Sequence, residues 1–123
     1  MSVDPTGRDL KRFLEEDPGG PVVMLNLLRF KPGGGRESYA EYGRRILPFA
    51  EQVGGEVLWF GACGPALVAP DSHDWDAVLV VRYPSRMAFS EMVRNPDYQQ
   101  ITHLRTEALE DGRLQPTSEW RGP

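Results

Sequence analysis

The chain has 123 residues, 40% of them hydrophobic and 26% charged, which is the composition of one globular domain rather than of a disordered segment. Its net charge is -4, and no basic cluster exceeds the Arg44–Arg45 pair, so nucleic acid and anionic membrane surfaces are not expected partners. The single cysteine, Cys63, excludes an internal disulfide. Residues 1–11 lack the apolar run of a secretory leader, and together these features lead us to expect a cytoplasmic protein.

Thr6 has the chemistry of a helix N-cap, and Leu10, Phe13 and Leu14 share one face of the helix predicted over residues 7–16. A Pro/Gly-rich stretch ends it, and we expect residues 1–19 to be an accessory to a main domain at 20–118, with a tail at 119–123. Residues 22–30 read as a strand that is apolar on both faces. Ser38 and Glu41 have capping-box spacing and predict a helix start. Tyr39, Tyr42, Ile46, Phe49 and Val53 line one face of that helix, Pro48 predicts a kink in it, and Gly54–Gly55 ends it. Strands are expected at 57–63, with an extension at 66–69, and at 75–83, where Trp75, Ala77, Leu79, Val81 and Tyr83 share a face. Ser85 caps a short helix that carries Phe89 and Met92 inward. Asn95 and Pro96 start another, expected to run to about residue 110, before a last strand at 113–117.

The order β-α-β-β-α-β after an extra helix predicts an α+β, ferredoxin-like fold with a four-stranded antiparallel sheet. Helices on one side leave the other side of that sheet bare. An apolar bare face implies a second copy of the chain against it, hence a homodimer.

Several stretches resemble one family: Met24-Leu25-Asn26-Leu27-Leu28-Arg29-Phe30-Lys31, then Tyr39 and Tyr42, Gly54–Gly55, and Trp59 with Gly61. Trp75–Asp76, Tyr83-Pro84-Ser85, Phe89, Asn95-Pro96-Asp97-Tyr98 and His103-Leu104-Arg105 continue the pattern. Over about residues 20–115 the chain resembles the family called domain of unknown function 1330. The resemblance implies the dimeric α/β barrel superfamily, which includes cofactor-free monooxygenases, lactone isomerases, polyketide cyclases, haem enzymes and small regulatory domains. It selects no activity among these, because one fold hosts many functions.

Arg105 is the most informative residue. It falls in the middle of an apolar helix face between Ile101 and Ala108, and a guanidinium cannot shed its charge when buried. It either clamps a ligand carboxylate, enolate or phenolate, or pairs internally with Asp76, Asp74 or backbone carbonyls. Asn26 interrupts an apolar strand, and its amide either orients a ligand or makes a structural bond. Tyr39 and Tyr42 either protonate and position a substrate or pack in the core. Trp59 and Trp75 are candidate walls of an aromatic cavity, and otherwise core residues.

His103 falls opposite Arg105 and is expected at solvent or a dimer surface. His73 sits among Asp71, Asp74 and Asp76 in a turn expected at residues 70–74, which is too weak a pattern for a metal site. Cys63 has no basic neighbour in sequence to activate it. Phosphate-binding, dinucleotide, serine-hydrolase and zinc-protease motifs are absent, so no cofactor and no metal are expected. These residues suggest a cofactor-free isomerase, cyclase or monooxygenase acting on a small anionic or aromatic molecule between sheet and helices. A ligand-binding module without turnover, or a purely structural homodimeric domain, uses the same features differently.

Overall fold

A computed structural model describes residues 3–70 and 74–120. The elements in chain order are α1 (Gly7–Glu15), β1 (Val22–Phe30), α2 (Gly35–Gln52), β2 (Glu56–Ala62) and β3 (Ala77–Tyr83). There follow α3 (Arg86–Arg94), α4 (Pro96–Gln99), α5 (Thr102–Ala108) and β4 (Leu109–Thr117). The strands form one antiparallel sheet in the order β2-β3-β1-β4, the ferredoxin-like α+β arrangement expected from the sequence.

The caps at Thr6, Ser85 and Asn95 are observed, each side chain accepting a backbone N–H of its own helix. Thr6 goes further and completes a capping box with Asp9. The expected box at Ser38–Glu41 does not form, because α2 begins a turn earlier, at Gly35. Gly34 enters the helix at φ 119, open to glycine, and a Cβ on Gly35 would lie 2.6 Å from the Ala108 carbonyl oxygen. Ser38 instead donates to the Leu104 carbonyl, and Glu41 binds Arg44 and Arg45. The helix passes through Pro48 and ends where Gly54 takes φ 82.

Three other expectations are corrected. The long last helix is two helices broken at Gln100–Ile101, and β4 begins at Leu109, so Leu109 and Glu110 are strand residues. Residues 66–69 form no strand, and Cys63 lies just beyond β2 and is exposed. Trp75 precedes β3 rather than belonging to it.

Register assigns the two sheet faces. Val22, Met24, Asn26 and Leu28 of β1 pair with Tyr83, Val81, Leu79 and Ala77 of β3 on the side that carries the helices. The core on that side is split into two clusters. One gathers Leu28, Tyr39, Tyr42, Tyr98 and Ile101, and the other Val22, Met24, Val81, Phe89 and Met92. Asn26 stands between Met24 and Leu28, so the place where the clusters would meet carries an amide. On the opposite face Val23, Leu25 and Leu27 align with Val78 and Val80, and none of these belongs to either cluster.

Candidate functional site

A cavity of about 660 Å³ lies between the sheet and the helices, where the two core clusters part. That volume is within the roughly 300–1,000 Å³ typical of small-molecule sites. Its walls are mostly apolar, and four of the six sequence-predicted site residues meet there: Asn26 from β1, Tyr39 and Tyr42 from α2, and Arg105 from α5.

Arg105 is 5% exposed and Asn26 is 7% exposed. The break at Gln100–Ile101 keeps Tyr98, Ile101, Arg105 and Ala108 buried on one side although the helix is interrupted. Of the internal partners expected from the sequence, Arg105 meets a backbone carbonyl but neither Asp76 nor Asp74. Asp76 accepts the Phe30 amide at 2.8 Å, and the Asp74 carbonyl accepts Arg29. The Arg105 Nη1 donates instead to the Val3 carbonyl and, at 2.8 Å, to the Asp4 carboxylate. Nη2 is buried and finds no hydrogen-bond partner among the described residues. An arginine fork with one unused prong, lining a greasy cavity, is a donor set for an anion.

Asn26 donates through Nδ2 to the Leu79 carbonyl at 3.2 Å, one bond across the β1–β3 pair. Tyr42 and Tyr98 share a hydroxyl–hydroxyl hydrogen bond of 2.8 Å. Burial pushes the Tyr39 phenol up to about 12, with the Arg105 charge pulling the other way. Burial, with Tyr98 beside it, holds Tyr42 well above the ordinary phenol value, and burial raises Tyr83 and Tyr98 as well. All four hydroxyls are therefore protonated near neutrality, and in the Tyr42–Tyr98 pair one donates and the other accepts.

Trp59 and Trp75 do not line the cavity. Between Val57 and Trp59 the β2–β3 register shifts, so Trp59 pairs with Val80 on the bare face and is 64% exposed. Phe60, paired with Leu79, lines the cavity from β2 instead. The guanidinium groups of Arg29 and Arg113 lie over the Trp75 ring, 5.2 and 5.3 Å from its centroid. His103 is exposed, and His73 lies outside the described residues. Among the described residues no cluster of His, Cys, Asp or Glu could hold a metal ion, and no helix is long and apolar enough to cross a membrane.

Sequence reasoning missed Asp4, Phe60, Tyr83 and Tyr98 as cavity residues. Tyr98 was visible on the apolar helix face three residues before Ile101, but its bond to Tyr42 was not. Asp4 carried no signal at all, being 101 residues from Arg105.

A family model described as "Domain of unknown function (DUF1330)" matches residues 34–114. A crystal structure of a protein of unknown function from Rhodopseudomonas palustris is 38% identical, with a TM-score of 0.91 and 98% of each chain covered. A dimeric ferredoxin-like protein of unknown function from Jannaschia sp. is 12% identical, with a TM-score of 0.63 over 81% of this chain and 100% of the other. Another so described, from Thermobifida fusca, is 16% identical, with a TM-score of 0.58 over 83% and 93% of the two chains. No curated protein matches the chain.

Proposed function

From the premise that the chain belongs to the family described as domain of unknown function 1330, we propose that its cavity binds a small organic acid with an apolar, aromatic or aliphatic body. The observation that carries this reading is the buried Arg105 Nη2, which has no hydrogen-bond partner among the described residues and belongs to a side chain on the cavity wall. A buried polar group without a partner costs about 1–3 kcal/mol, and more when charged, so the fold keeps this one at a price that an incoming anion would refund. The apolar walls take the ligand body, Arg105 takes the carboxylate, and the Asn26 amide and Tyr39 phenol give orientation. In this reading residues 20–118 form the binding domain and residues 1–19 an accessory.

The same residues support binding better than turnover. An isomerase, cyclase or oxygenase working by proton transfer needs a group that releases a proton near neutrality, and burial moves the tyrosines away from that range. Asp4, the carboxylate on the cavity wall, is engaged by Arg105 and Thr106.

The working unit in this proposal is a homodimer. The bare face of the sheet presents Val23, Leu25, Leu27, Val78 and Val80, and a second copy of that face would cover them. The relatives described as dimeric share the fold and point the same way.

Calorimetry tests the site. A series from phenylacetate to 6-phenylhexanoate is titrated, each acid against its own amide. At least one acid is expected to bind about tenfold or more tightly than its amide, which is about 1.4 kcal/mol. Arg105→Lys is expected to retain part of that preference and Arg105→Met to lose it. Equal binding of acid and amide, or of neither, overturns the proposal.

A further inference from the structure

Arg105 is not held by its own domain but by the segment that precedes α1. Nη1 donates to the Val3 carbonyl and to Asp4 Oδ1, and the other carboxylate oxygen, Oδ2, accepts the Thr106 hydroxyl at 2.6 Å. Asp4 thus meets the guanidinium at one prong, whereas a free carboxylate can take two parallel N–H groups. Asp4 and Pro5 also line a second cavity, of about 590 Å³, between α1 and β4, and the two cavities share Met24, Phe89 and Leu114 as walls. The segment therefore forms part of the wall that two neighbouring spaces share, with its carboxylate on the arginine.

The attachment of this segment is light. No residue of α1 is fully buried. The helix is held by Leu10 and Phe13, which pack on the Val22–Met24–Phe89 cluster, with the Phe13 ring edge-on to Phe89 at 5.6 Å and under Arg86 at 4.6 Å, and by an Arg86 hydrogen bond to the Phe13 carbonyl; ahead of it, among the described residues, only Val3 packs on the core. The Asp4 side chain is 36% exposed where Arg105 is 6% exposed, so its ion pair is screened on one side only. Segments with little buried area open at a small fraction of the global unfolding free energy.

We propose that Asp4 is a built-in counter-ligand: it holds the place of a ligand carboxylate on Arg105, and an organic acid entering the cavity displaces it and loosens residues 3–5. This rests on the anion-site reading above and adds a competitor to it. Affinity for an acid is then set by what Asp4 must give up. The affinity of a neutral ligand of the same shape does not depend on Asp4.

The full chain is compared with Asp4→Asn and Thr106→Val by calorimetry, using 4-phenylbutyrate and 4-phenylbutyramide as probes. Asp4→Asn keeps the shape and removes the charge, and the acid is expected to bind about fivefold tighter, the fold-change of a half-exposed charge pair. Thr106→Val removes one bond to Asp4 and leaves Arg105 untouched, and a gain of about twofold is expected. The amide binds all three proteins equally. Hydrogen exchange in the wild-type protein is expected to rise at residues 3–9 when the acid is added. If the wild type binds the acid and a folded Asp4→Asn binds it no tighter, the counter-ligand is overturned and the anion site stands. Should Asp4→Asn not fold, Thr106→Val decides in the same way. If none of the three binds the acid, both readings fall.

Discussion

Removing the Tyr42 hydroxyl measures how dry the cavity is. The Tyr42 and Tyr98 oxygens lie 2.8 Å apart, and their residues are 4% and 7% exposed. Tyr42→Phe deletes one bond and leaves the Tyr98 hydroxyl without it. A hydrogen bond contributes about 1 kcal/mol net, and an orphaned buried hydroxyl costs about 1–3 kcal/mol, so a loss of about 2 kcal/mol is expected. In a domain of this size that lowers the thermal midpoint by about 8 °C. Urea unfolding measures it, with an unchanged slope showing that the unfolded state is not the cause. Tyr98→Phe is expected to cost a similar amount. The double variant should cost about 1 kcal/mol less than the sum, because the second deletion removes the orphan left by the first. Single losses below about 0.5 kcal/mol with no coupling would refute the reasoning, since both hydroxyls would then be served by water inside the cavity.

Three further outcomes are expected. The four tyrosines are all buried with raised phenols, Tyr39 at about 12 against 10.0 when free; a proton held more tightly in the folded state stabilises it fully below pH 10 and less as pH climbs toward 12. Phenolate absorbance and circular dichroism should therefore change together above pH 10, and tyrosines titrating near pH 10 in a protein that stays folded would contradict this. Gly35→Ala places a methyl 2.6 Å from the Ala108 carbonyl oxygen, and forcing the α2 start off α5 should cost about 1–3 kcal/mol in urea unfolding, where a neutral result would contradict the close approach. Leu25→Lys puts a charge in the middle of the bare sheet face; sedimentation equilibrium should read a dimer for the wild type and a monomer for the variant, and a dimer that survives the lysine lies elsewhere.

What could be read from the sequence was local. The caps at Thr6, Ser85 and Asn95 are encoded in one side chain and a helix beginning within three residues of it, so they were visible. The unbroken apolar run of β1 marked Asn26 as a buried exception, and the helical period placed Tyr39, Tyr42 and Arg105 on inward faces, where they are found. Each of these rules survives as long as the backbone stays regular. Trp59 failed because a register shift next to it reverses the parity of β2, and nothing in the residues 56–60 marks that shift. The break at Gln100–Ile101 was hidden because the buried face continues across it, with Tyr98, Ile101 and Arg105 still at helical spacing. The start of α2 was missed because it depends on Gly35 fitting against Ala108, a contact between distant segments. The partner of Arg105 was beyond reach for the same reason. Burial of a charge tells that a counter-charge exists, but Asp4 sits in a stretch with no pattern of its own, across the whole length of the chain.

The central claim is that a guanidinium buried in an apolar cavity has one prong free for an anion. A crystal structure of the protein with 4-phenylbutyrate tests it most directly. The carboxylate is expected at hydrogen-bond distance from Arg105 Nη2, about 2.7–2.9 Å, with the phenyl ring between Asn26 and Tyr39. A cavity found empty, with Nη2 bonded to another group of the protein, would contradict it.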